Sequence, residues 1–116
     1  MTALTVVLAV LAALPFTVFG LAKVTGRLGM LERAAHLGFT EAAYRRIGVL
    51  EIFGAAGLLV GLAFPVIRSA AAGCLLVLAV SGAALHLRSG DGSKGAAPAL
   101  VAAMLVVLYG VVGANT

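Results

Sequence analysis

Two side chains in this chain are equipped for acid–base chemistry and sit where such groups are expensive. Glu51 is the only charge in the stretch 47–64, and His86 lies near the end of the apolar stretch 69–87. On insertion scales a charge at the centre of a bilayer costs about 2.5–3.5 kcal/mol, so a residue of this kind normally faces a protein interior. An imidazole beside a carboxylate can exchange protons near neutral pH. In an apolar pocket the two are the minimum equipment for proton transfer on a lipophilic substrate, such as an isomerisation or a cyclisation. Glu51 and His86 are therefore the candidate catalytic residues. Lys23 closes the first apolar run and Arg88 the third. As cations they suit an anionic or carbonyl-bearing head group, and they are the candidate ligand-binding residues. The competing interpretation is architectural. Basic residues commonly anchor helix ends at a membrane interface, and Glu51 paired with one of them would fix helix register.

Those four residues need elements to hold them, and composition says which kind. Hydrophobic residues make up 63% of the 116 and charged residues 10%, with a mean hydropathy of +1.19. Soluble domains run at roughly 45–50% and 25%. So short a chain cannot bury that much apolar surface in one core, which leaves lipid as its solvent. Disorder is excluded by hydrophobicity. A disulfide scaffold is excluded by a single cysteine, Cys74. The apolar runs are continuous rather than alternating, which excludes a β-barrel. A net charge of +4 is compatible with nucleic acid, but the basic residues sit at the ends of apolar runs rather than on one polar face, so no nucleic-acid partner is expected.

A hydrocarbon core of about 30 Å takes about 20 helical residues. Four spans follow, at about 3–22, 47–64, 69–87 and 97–113. The expected fold is all-α: a single domain, 1–116, built as an antiparallel four-helix transmembrane bundle. The first run lacks the basic start and short apolar stretch of a signal peptide, so it is read as a retained helix. In the polar stretch 23–46, Leu28, Leu31 and Ala35 recur at helical spacing and suggest an amphipathic interfacial helix. Thr40 suits an N-cap, with Glu41 in the first turn behind it. The short turn from Phe64 to Arg68 forces a hairpin. Residues 89–95 read as a flexible polar loop, and Pro98 falls in the first turn of the last span.

Seven of the eight basic residues lie in the stretches 23–46 and 88–95, and Arg68 alone lies at the other end. The positive-inside rule makes those two loops cytoplasmic and puts both termini outside. Glu51 then lies roughly 6–7 Å into the membrane, at about 1.5 Å per residue from Ile47, and His86 returns to a similar depth. Gly54, Leu58 and Gly61 share the stripe of Glu51, and Leu75, Ala79 and Gly82 share that of His86. Small residues let membrane helices approach, so Lys23, Glu51, His86 and Arg88 are expected to converge inside the bundle near one membrane face.

The remaining candidates are weaker. His36 reads as solvated or interfacial, and Cys74 as inert packing. One cysteine provides no thiol–disulfide relay, and two histidines, one in a loop, do not make a bis-His haem. No residue set has metal-ligand spacing. Gly20, Gly26 and Gly29 follow no strand and form no phosphate loop. Phe16, Phe19 and Phe53 are packing, lipid-facing or slot-lining residues.

The order and spacing of Gly20-Leu-Ala-Lys23, Tyr44-Arg-Arg-Ile-Gly48-Val-Leu-Glu51, Gly54-Ala-Ala-Gly57-Leu and His86-Leu-Arg88 resemble the DoxX-like family of small bacterial membrane proteins. The resemblance covers nearly the whole chain. It implies a four-helix membrane bundle in a bacterial inner membrane and points to Lys23, Glu51, His86 and Arg88 as the family's polar pattern. It also implies proximity to sulfur or thiol oxidation with electrons passed to quinone, often as a subunit beside other proteins. Other branches assist enzyme maturation or receptor assembly. The chain departs from redox-competent relatives in lacking a cysteine pair, which counts against direct thiol chemistry. The expectation is an accessory subunit with no intrinsic cofactor. It would bind a quinone-like lipophile, or a protein partner such as a redox or biosynthetic enzyme or a second copy of itself. The alternatives are the proton-transfer enzyme above and a helix-recognising assembly factor or chaperone.

Overall fold

The computed structural model describes residues 2–27 and 29–115, and within them the chain is helical with short connections. The helices are α1 (Ala3–Thr25), α2 (Met30–Leu37), α3 (Glu41–Val60), α4 (Pro65–Arg88) and α5 (Gly92–Ala114), with no strand among the described residues. Three of them, α1, α4 and α5, are long and apolar enough to cross a membrane. The fourth long helix, α3, has 20 residues but carries Glu41, Arg45, Arg46 and Glu51.

The local signals that set the helix ends are ordinary ones. The Thr2 side chain accepts from the Thr5 amide at 3.2 Å, and Thr40 caps α3 by accepting from the Ala43 amide at 3.1 Å. Gly26 ends α1 in the left-handed region, φ 71°, which a side chain would strain. Pro65 opens α4 at a position where its missing N–H costs nothing. The last carbonyls of α3 find partners in the turn: Gly57 accepts from the Gly61 amide, Leu59 from Leu62 and Val60 from Ala63. The Leu58 carbonyl accepts instead from the fully buried Tyr109 hydroxyl of α5, at 2.7 Å. Tyr109 is thus a side-chain cap for a helix end inside the bundle.

The helix α1 packs chiefly on α3 and α4 on α5, while α3–α4 and α1–α5 contacts complete the arrangement. Between helices in lipid there is no hydrophobic gain, so close approach and dispersion must hold the bundle. The core is accordingly rich in alanine, with Ala9, Ala12, Ala55, Ala79 and Ala102 around Phe16, Leu58, Leu75 and Val106. Large apolar side chains face outward, among them Val66 (81% exposed) and Phe53 (73%). An apolar exterior around an alanine core suits lipid as the solvent.

Several expected boundaries move. The polar stretch 89–95 is not a free loop: α5 begins at Gly92, which makes Pro98 an interior residue rather than a first-turn one. The connecting helix α2 exists, but it buries Met30 and Ala34, while Leu31 and Ala35 are exposed. Leu28 lies outside the described residues. The buried face is set by contact with Ala22 and Tyr44, which periodicity within eight residues does not specify.

Candidate functional site

The tightest approach of α1 to α3 is made at two glycines. A Cβ on Gly20 would lie 2.8 Å from the Gly48 carbonyl oxygen, and one on Gly48 would lie 2.7 Å from that of Gly20. One turn further along each helix stand Lys23 and Glu51. With the backbones this close, the Lys23 ammonium donates to Glu51 Oε1. Both side chains are largely withdrawn from solvent, at 14% and 8% exposed. The ammonium also lies 5.1 Å from the centre of the Tyr44 ring, within reach of a cation–π attraction. The second carboxylate oxygen, Oε2, is buried without a hydrogen-bond partner among the described residues.

This pair lies on the wall of a cavity of about 150 Å³ to which all five helices contribute. Phe16 and Phe19 of α1, Leu78 of α4 and Pro98 of α5 give it apolar walls. Arg33 of α2, Tyr44 and His86 join Lys23 and Glu51 as its polar groups. Ser81 and Pro98, both exposed, also line it, so the space reaches the surface of the bundle between α4 and α5.

Glu51 and His86 therefore share one cavity, but they are not hydrogen-bonded to each other. His86 Nδ1 lies 2.8 Å from Asp91 Oδ2, and His36 Nε2 lies 2.8 Å from Asp91 Oδ1. Asp91 occupies the N-cap of α5 yet makes no side-chain cap bond there, because its carboxylate is engaged by the two rings. Positive φ at Gly90 (83°) and Gly92 (66°) folds the turn back so that the Asp91 amide also donates to the His86 carbonyl. Hydrogen bonds from His86 and then from His36 hold the Asp91 carboxyl below the ordinary aspartate value. The bridge ties α2 to the α4–α5 turn beside the cavity.

Of the four residues singled out by spacing, the structure brings Lys23, Glu51 and His86 to one cavity and leaves Arg88 outside it, exposed at the end of α4. Arg88 follows His86 by two residues, which turns it roughly 200° around the helix. No group of three or more His, Cys, Asp or Glu residues is arranged to hold a metal ion among the described residues. Cys74 is exposed on the outer face of α4.

The model of the DoxX-like family matches residues 7–108, from the first turns of α1 through most of α5. The chain belongs to the DoxX-like family. It is a membrane protein of that family, and its three apolar spans agree with this. Neither the comparison with curated proteins nor that with solved structures returned a match.

In this DoxX-like protein three site residues are not evident from the sequence. Asp91 reads as a loop residue because nothing in the sequence announces the paired left-handed glycines that turn it toward His86. Arg33 lies in a polar stretch and Tyr44 reads as an interfacial residue at the start of the second span, and the docking of α2 over α3 brings them to the cavity. Of these three, Tyr44 had a signal that could have found it: at i−7 its ring stands two helical turns before Glu51 on the same face of α3.

Proposed function

We propose that this DoxX-like protein is an accessory membrane subunit that holds a lipophilic, quinone-like molecule in the cavity, with its head group at the Lys23–Glu51 end. The observation that carries this is the composition of the cavity wall: aromatic and aliphatic side chains over most of it, and a buried ion pair at one end. Its volume of about 150 Å³ suits one ring, since an apolar cavity of about that size takes up benzene. The opening beside Ser81 and Pro98 gives an alkyl tail a way out into lipid. The single-ring fit also supports a small ligand over a protein segment as the occupant.

In this proposal α3 crosses the membrane beside α1, α4 and α5, as a four-helix antiparallel bundle in a bacterial inner membrane. The connections 23–46 and 88–95 face the cytoplasm and both termini face outward, because the basic residues gather at the α2 end. The ligand head group then lies close to the cytoplasmic face, where a redox or biosynthetic enzyme can reach it. Proton transfer by Glu51 and His86 is a second use of the same site, favoured by their shared cavity. Formation of an isomerised or cyclised product would distinguish it from binding alone.

The test is native mass spectrometry of protein extracted gently from its own membrane. Wild type should retain a lipophile of ring-plus-tail mass. Gly82→Leu should lose it, because Gly82 lines the cavity and has open space for an added Cβ, with nothing within 4 Å, so the leucine side chain would take up room the ligand needs. Equal retention by both proteins, or retention of bulk phospholipid only, would remove the cavity as a ligand site.

A further inference from the structure

Glu51 divides its two oxygens unequally. Oε1 accepts from Lys23, while Oε2 is buried and receives no donor from any described residue. An ionised carboxylate only accepts hydrogen bonds, with about four lone-pair sites to fill. Leaving a buried one half-satisfied is costly, so the site is complete only when something brings it a donor. The polar groups on the cavity wall do not do so. His86 is turned to Asp91 through Nδ1, and Lys23 is turned to Oε1. A ligand carbonyl or ether oxygen placed there would set lone pair against lone pair.

We infer that the molecule held in this cavity presents a hydroxyl group to Glu51 Oε2, which makes it a lipophilic phenol or alcohol rather than a carbonyl or ether compound. This rests on the ligand-binding cavity proposed above and revises its occupant: a fully oxidised quinone has no O–H to donate, whereas a ring of the same size bearing a hydroxyl does. The Lys23 ammonium holds Oε1 in an ion pair, which leaves Oε2 free to accept from the ligand O–H in a charge-assisted bond. The apolar walls formed by Phe16, Phe19 and Leu78 enclose the ring that carries the hydroxyl. Lys23 is committed to Glu51, so it acts through the carboxylate and does not itself have to bind the head group.

The experiment compares two probes that differ in one donor: 4-nonylphenol and its methyl ether, 4-nonylanisole. Binding is measured by calorimetry to the full-length protein in lipid nanodiscs. Wild type is expected to bind the phenol about 10-fold or more tightly than the ether, the discrimination typical of a hydrogen bond to a charged acceptor. Glu51→Gln keeps an oxygen for Lys23 and puts an NH₂ group in place of Oε2, so it should lose that preference. Isotope-edited infrared difference spectra of the wild type supply a readout that needs no variant. The glutamate carboxylate band should shift with the phenol and stay still with the ether. Equal binding of phenol and ether, both abolished by Gly82→Leu, would leave the cavity as a ligand site and overturn the hydroxyl assignment. Failure of both probes to bind would overturn the cavity proposal itself.

Discussion

The approach of α1 to α3 at Gly20 and Gly48 is what allows Lys23 to reach Glu51, and a single methyl group tests it. In Gly48→Ala the new Cβ would lie 2.7 Å from the Gly20 carbonyl oxygen and 2.8 Å from Lys23 Cβ. Ordinary contact begins at 3.4 Å, so the helices must part locally by about 0.7 Å. Two of those contacts are to backbone and to a Cβ, which cannot swing aside. Overpacking of this kind costs about 1–3 kcal/mol. Alanine recovers roughly 0.8–1 kcal/mol of helix propensity over glycine. That second effect is removed by comparison with Gly73→Ala, where an added Cβ meets nothing within 4 Å. The difference between the two variants isolates the steric effect. Gly48→Ala should be less stable than Gly73→Ala by about 1–3 kcal/mol in reversible unfolding in mixed detergent–SDS micelles, followed by far-UV circular dichroism. Coincident unfolding curves would mean that these glycines do not set the helix separation and that the ion pair is positioned by something else.

Three further outcomes follow from the same geometry. Lys23→Met leaves a buried carboxylate without its counter-ion and should cost about 3–5 kcal/mol by the same unfolding assay, and adding Glu51→Leu should restore most of that loss. Tyr109→Phe leaves the Leu58 carbonyl at the end of α3 without its donor and should cost about 1–3 kcal/mol, with faster amide exchange confined to the α3–α4 turn. The Asp91 carboxyl is held below its ordinary value by His86 and His36, so its contribution is present above the unfolded aspartate pKa of about 3.9 and is lost as pH falls through the lower, folded value. Hydrogen exchange in α2 should therefore accelerate only on strong acidification in wild type, and already at neutral pH in Asp91→Asn.

The parts of this protein that were legible in its sequence are those fixed by axial position. Helix length and the 1.5 Å rise placed Lys23, Glu51 and His86 at one depth, and the structure brings all three to one cavity. Thr40 was legible as a cap because an N-cap is a local device. The azimuth of each residue was harder. Arg88 stands two residues from His86 yet turns away from the cavity, and the face buried by α2 depends on Ala22 and Tyr44 rather than on its own eight residues. His86 found a carboxylate five residues away, Asp91, in preference to Glu51 on another helix. That outcome turns on two left-handed glycines, Gly90 and Gly92, in a stretch whose composition reads equally well as a loop. The slot-lining role left open for the phenylalanines resolves by helix face: Phe16 and Phe19 line the cavity, and Phe53 is exposed on the outside of the bundle.

The most direct test of a ligand site at the Lys23–Glu51 end is residue-resolved photolabelling in nanodiscs with an alkylphenol that carries a diazirine on its ring. The account predicts adducts on Phe19, Leu78 and Pro98, competed by excess 4-nonylphenol and absent in Gly82→Leu. Labelling spread over outward-facing Val66, Val77 and Met104, unchanged by competitor or by Gly82→Leu, would contradict it.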